Sequence, residues 1–253
     1  MLRLLDAAKL AEYRALLTEV NTLAQEDLVK LWRSLEHLDR DALWESLRAG
    51  VPEIVELYRA TAADTALLFY SETQGLAFDA TEGLAASKVN REQVEASMRW
   101  ALFAEGNDDP LALIAGIVQK HVIDGSRQYA LNGFQKAGAG WYRAARPGAC
   151  EFCRLLATRA VTDQGTPYTS AEAAITVGKG KSKPRGPQAH GGTFHDHCMC
   201  IPVRASEFQP PDHYEKWAKE YYGATSIVGT SDISQITWAM RNPEKAMELY
   251  NKK

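Results

Sequence analysis

All four cysteines of the chain fall in one stretch, as Cys150-Glu151-Phe152-Cys153 and, after 44 intervening residues, Cys198-Met199-Cys200. Two short-spaced thiol pairs joined by a longer segment are how structural zinc sites are usually assembled, because a tight turn presents both sulfurs of a pair to one tetrahedral ion. Pro147-Gly148 supplies such a turn ahead of the first pair. A connection of 44 residues is long for a compact domain unless its ends are tied. A structural Zn²⁺ would be the tie.

Six side chains compete for four positions: Cys150, Cys153, His195, His197, Cys198 and Cys200. Cys150, Cys153 and Cys198 head the expected set, and either Cys200 or His195 completes it. His197 is read as lying outside the coordination sphere, with Asp196 orienting an imidazole by accepting its free N–H. The competing readings are small buried hydrophobes, which the polar neighbours Glu151, His195, Asp196 and His197 disfavour, and disulfides, which belong to oxidising compartments. Asp6 interrupts the apolar N-terminus where a signal peptide would continue, so a chain made in the cytoplasm is expected. No run of about 18 apolar residues occurs, so no membrane contact is expected either.

A formal charge of -3, with 24% charged and 45% hydrophobic residues, gives no global attraction to nucleic acid. Any such contact must be local. Lys179, Lys181, Lys183 and Arg185 lie in a Gly/Pro-rich segment with no acid among them. They could meet phosphates without reading bases, or form a solvated surface loop.

Upstream, Leu10, Tyr13, Leu17, Val20, Ala24, Leu28, Leu31, Leu35 and Leu38 recur at steps of three and four, one face of a single helix or of two broken near Asn21-Thr22. A short helix is expected from Asp39 to Gly50, with another starting at Pro52. Residues 75–88 read as an irregular connection. Asn90 with Gln93, and Asp109 with Pro110, mark two further helix starts, the second helix interrupted at Gly125. Ile201-Pro202-Val203-Arg204 suits a short edge strand, and helix resumes at Tyr214 and near Pro243. The expected fold class is mainly α: a helical docking domain over residues 1–138, a small α+β zinc-binding region over 139–210 and a helical tail over 211–253.

Several chemistries fail on spacing. No His-x-Glu precedes the Cys-x-x-Cys, as a zinc deaminase requires. The position where a phosphate-binding loop ending in Gly180-Lys181-Ser182 needs its first glycine is Ile175. Gly-x-Ser-x-Gly and His-Glu-x-x-His are absent.

Arg146-Pro147-Gly148-Ala149-Cys150-Glu151-Phe152-Cys153-Arg154-Leu155-Leu156-Ala157-Thr158-Arg159, with the later Phe194-His195-Asp196-His197-Cys198-Met199-Cys200, is similar to the minor capsid proteins of tailed phages that infect actinobacteria. These group with the phage Mu protein F-like head morphogenesis family, which pairs an early Cys-x-x-Cys with a final His-x-x-Cys-x-Cys. The resemblance carries Cys150, Cys153, His195, Cys198 and Cys200 as metal ligands. It implies a virion component, assembled in the host cytoplasm, that meets the portal protein and a major capsid or scaffolding protein inside the procapsid; the Lys179 to Arg185 loop adds packaged DNA as a candidate contact. Such proteins are often labelled capsid maturation protease, so a protease or other zinc-dependent hydrolase is the alternative expectation.

Overall fold

Acidic caps set the helices of the N-terminal half. In the computed structural model, which describes residues 5–77, 79–162, 165–169, 198–230 and 232–250, Asp6 opens α1 (Ala7–Leu35) by accepting from the Ala8 N–H at 2.9 Å. Asp39 opens α2 (Arg40–Thr73) by accepting from Asp41 and Ala42. Each cap satisfies backbone donors that the first turn leaves without a partner. The described residues divide into two compact units, Leu5–Gly133 and those from Phe134 onward.

Within the first unit α1 is one continuous helix. At Asn21-Thr22 the Thr22 hydroxyl donates back to the Thr18 carbonyl at 2.9 Å, and the ladder runs on. Leu10, Tyr13, Leu17, Val20, Ala24 and Leu28 are buried as their spacing predicts, whereas Leu38 falls beyond the helix end. The expected pair of helices around Gly50 and Pro52 is instead the single 34-residue α2. Gly50 stops nothing: a Cβ there would meet the Leu31 side chain at 2.8 Å, so the missing side chain serves the packing of α1 on α2. Pro52 in a helix interior costs about 3 kcal/mol, and Val51, Pro52 and Val55 are all buried against that cost. Tyr13 stacks on Phe69 with centroids 4.0 Å apart.

Residues 75–88, read as irregular from their Gly, Thr and Ser, contain α3 (Ala80–Ser87). Asp79 caps it through the N–H groups of Thr81 and Glu82, a local signal that the composition obscured. Asn90 accepts from Gln93 to open α4 (Arg91–Phe103), and Asp109 accepts from Ala112 to open α5 (Pro110–Lys136). α5 passes straight through Gly125, where a Cβ would lie 2.4 Å from the Arg59 carbonyl oxygen. That glycine marks a close approach of α2 and α5 rather than a break. Arg59, buried, bridges the same region by donating to the carbonyls of Ala86 and His121.

The second unit is built from shorter pieces. Gly138, at φ 60°, turns the chain out of α5, with the Ala139 N–H returning to the Phe134 carbonyl. β1 (Trp141–Ala144) pairs antiparallel with β2 (Ile201–Arg204), Ala144 opposite Ile201 and Arg143 opposite Pro202. On its other side Trp141 exchanges two backbone hydrogen bonds of 2.9 Å with Tyr168. Between the strands in sequence lie α6 (Glu151–Ala157) and the 3-10 turn Thr158–Ala160; after them come the 3-10 turn Ala205–Glu207, α7 (His213–Val228), α8 (Ile233–Arg241) and α9 (Pro243–Tyr250). Leu155 and Leu156 of α6 share one core with Ala224, Val228, Ile236, Ala239 and Ala246 of the tail helices. The protein is thus mainly helical, with one small two-stranded sheet among the described residues. No described helix is long and apolar enough to cross a membrane.

Candidate metal centre

The strand pair explains how two distant cysteine pairs meet. β1 leads into Arg146-Pro147-Gly148, where the Ala149 N–H closes a turn on the Arg146 carbonyl, and the chain enters α6 with Cys150 at its N-cap. β2 begins one residue after Cys200. Because the strands run antiparallel with Ala144 beside Ile201, the exit of β1 and the entry of β2 lie at the same end of the sheet.

There the Sγ atoms of Cys153, Cys198 and Cys200 lie within 4.8 Å of one another, close enough to hold a metal ion. Cys153 Sγ and Cys198 Sγ are 3.4 Å apart, and the Cys200 N–H donates to Cys198 Sγ at 3.4 Å. Each of the three residues is about 2% exposed. Cys150 is half-buried, and its side chain hydrogen-bonds that of Cys153. All four thiols are free of disulfides.

Crowding and burial set the charge state of the metal-free cluster. Hydrogen bonds with Cys150, then Cys198 and Cys200, together with burial, push the Cys153 thiol far above its ordinary range. Cys200 is drawn down by its contact with Cys153, but the contact with Cys198 and burial prevail and push it up to about 12. Such a cluster keeps its protons until a cation replaces them, and thiolates favour soft cations.

Side chains from the tail helices fasten the frame. The Tyr214 hydroxyl accepts from the Ala145 N–H, joining α7 to the end of β1. Arg154 donates to the Ala149 carbonyl at 2.7 Å and pairs with Glu220 of α7 at 3.5 Å, while its guanidinium lies over Trp217. Glu151 pairs with Arg241 of α8 at 2.8 Å. Burial opposes ionisation of Glu151, yet its bond to Arg241 prevails and holds its carboxyl below the usual range.

Of the residues expected at the site, the structure brings together Cys153, Cys198 and Cys200, with Cys150 adjoining. His195, Asp196 and His197 lie outside the described residues, as do Lys179, Lys181, Lys183 and Arg185. Sequence reasoning missed Arg143, fully buried on β1, whose charge acts on the Cys200 thiol. It also missed Tyr168 and Tyr214. The signal available for Arg143 was its place in Trp141-Tyr142-Arg143-Ala144-Ala145, a charge among apolar residues shortly before the first thiol pair.

A family model described as VG15 protein matches residues 5–224. The comparisons with curated proteins and with solved structures gave no match.

Proposed function

The chain belongs to the VG15 protein family, a phage-derived viral family, and from that premise we propose that it is a minor capsid protein of head morphogenesis, its C-terminal unit clasped by structural zinc. The observation that carries the proposal is the buried thiol cluster at the open end of the β1–β2 pair, which draws the two ends of a 44-residue segment together. Cys150, Cys153 and Cys198 are ligands in this reading, with Cys200 or His195 in the fourth position. Zn²⁺ bound there supplies folding free energy of roughly 10 to 16 kcal/mol. Its role is to hold the unit's shape.

Burial supports this reading over a capsid maturation protease or another zinc-dependent hydrolase. A catalytic zinc keeps one position open to water, whereas structural sites are closed, and Cys153, Cys198 and Cys200 are nearly inaccessible. The helical N-terminal unit is the docking element toward the portal protein and the major capsid or scaffolding protein. The Lys179, Lys181, Lys183 and Arg185 segment is the contact for packaged DNA.

The test is biochemical fractionation of phage heads. The proposal expects this chain in purified procapsids and virions at low copy, cross-linking to the portal protein. Its absence from both particles would overturn the head-protein reading. Processing of the major capsid protein that stops on Cys153→Ser substitution, with this chain's fold intact, would favour the protease.

A further inference from the structure

Arg143 is an arginine with 0% exposure in a unit built of short elements. Burying a guanidinium is costly, and a net negative charge close by offsets part of that cost. The register of the sheet shows where Arg143 stands. It is opposite Pro202 on β2, and carrying the alternation of a strand one residue past its start at Ile201 puts Cys200 on the same face. A long side chain reaches such a diagonal neighbour. The electrostatics agree: the Arg143 charge acts on the Cys200 thiol and on the buried Tyr168 phenol.

The charge of a loaded centre completes the argument. A divalent ion held by three thiolates and a neutral imidazole carries one net negative charge, and one held by four thiolates carries two. With either ligand set, the Cys153 and Cys198 sulfurs, common to both, place part of that excess in a nearly dry pocket, where an uncompensated charge is costly. We infer that Arg143 is the counter-charge of the metal centre: a positioning residue on β1 whose guanidinium makes a buried, net-anionic metal–thiolate cluster tenable. The inference rests on the zinc reading above and assigns a function to a residue outside both cysteine pairs. The same charge should make the pocket less hospitable to a cation that leaves the thiols protonated, and so favours soft ions that replace the protons.

Competition between the full-length chain and a chromophoric chelator for Zn²⁺ tests it, with Co²⁺ absorption as a second readout of the thiolate environment. Wild type, R143M and R143K are compared, with metal-free circular dichroism as the check on folding. The expected result is tight, one-to-one metal in wild type, an affinity lower by about 10- to 100-fold in R143M, the range seen when a partner of metal ligands is removed, and an affinity for R143K within a few-fold of wild type. Metal binding in wild type with equal affinity in R143M overturns the counter-charge while leaving the zinc site standing. No metal in wild type overturns the zinc reading itself. If R143M does not fold, R143K decides: retention of wild-type affinity supports the charge, and a loss of 10-fold or more in a folded protein means that charge is not what Arg143 supplies.

Discussion

α1 and α2 of the N-terminal unit run for 29 and 34 residues, whereas β1 and β2 have four residues each and α6 has seven. Long helices bury continuous apolar stripes against one another, and Tyr13, Leu17, Ala24, Leu28, Leu47, Val51 and Val55 are all at most 1% exposed. A two-stranded sheet by itself is marginal in water. The C-terminal unit compensates with the core that α6 shares with α7, α8 and α9, with Tyr214 on β1, and with the thiol cluster. One unit is held mainly by the packing of long apolar helix faces. The other depends on side chains meeting across large sequence separations, which is where a metal contributes most.

The largest expected effect is on the thiols. Cys153→Ser should abolish tight metal binding and expose residues 134–250 to limited proteolysis, because binding free energy on the order of 10 kcal/mol is withdrawn. Helices α1 to α4 should stay protected. Mass mapping of the fragments reads both units in one experiment.

Acid should act on the N-terminal unit through His121. Burial, reinforced by Lys120, lowers its pKa from 6.5 to about 4, despite Asp124. Between those values the unfolded chain binds more protons than the folded one, so this contribution is fully present above pH 6.5 and is lost as pH falls toward 4. The loss is on the order of 3 kcal/mol. Urea unfolding read by hydrogen exchange in α2 and α5 should show it in wild type, with a flatter pH dependence in His121→Gln.

Gly125→Ala places a methyl against the Arg59 carbonyl and should destabilise the N-terminal unit by about 1 to 3 kcal/mol through overpacking. Metal content should not change. That outcome would separate the two units' sources of stability as cleanly as the cysteine variant does from the other side. Asp39→Ala, which removes the cap of α2, should cost about 1 kcal/mol in the same unit. A shift in thermal midpoint at constant zinc content checks both.

How much of this was legible in the sequence follows the same division. The buried face of α1 and the caps at Asp39, Asn90 and Asp109 rest on local rules of spacing and hydrogen bonding, and they stand in the structure as the sequence predicts them. Gly50 and Gly125 were misleading because their usual punctuating role yields to packing, with Leu31 and Arg59 occupying the space where a side chain would be, and Pro52 because it lies buried inside α2 and does not start a helix. No local rule could show that. α3 hid behind a loop-like composition, although Asp79 was a legible cap. At the thiol cluster, the residue types and their paired spacing pointed to a metal site, and Cys153, Cys198 and Cys200 converge closely enough to hold an ion. β1 was not expected, so neither the register that brings the pairs together nor the buried Arg143 could be read beforehand.

The central claim is that a metal holds the C-terminal unit while the N-terminal unit stands without one. Limited proteolysis of the full-length chain at neutral pH, with and without a strong chelator and with metal content measured in parallel, tests it most directly. The account predicts one Zn²⁺ per chain and, after chelation, new cleavage within residues 134–250 alone. Equal protection of both units after complete removal of metal would contradict it.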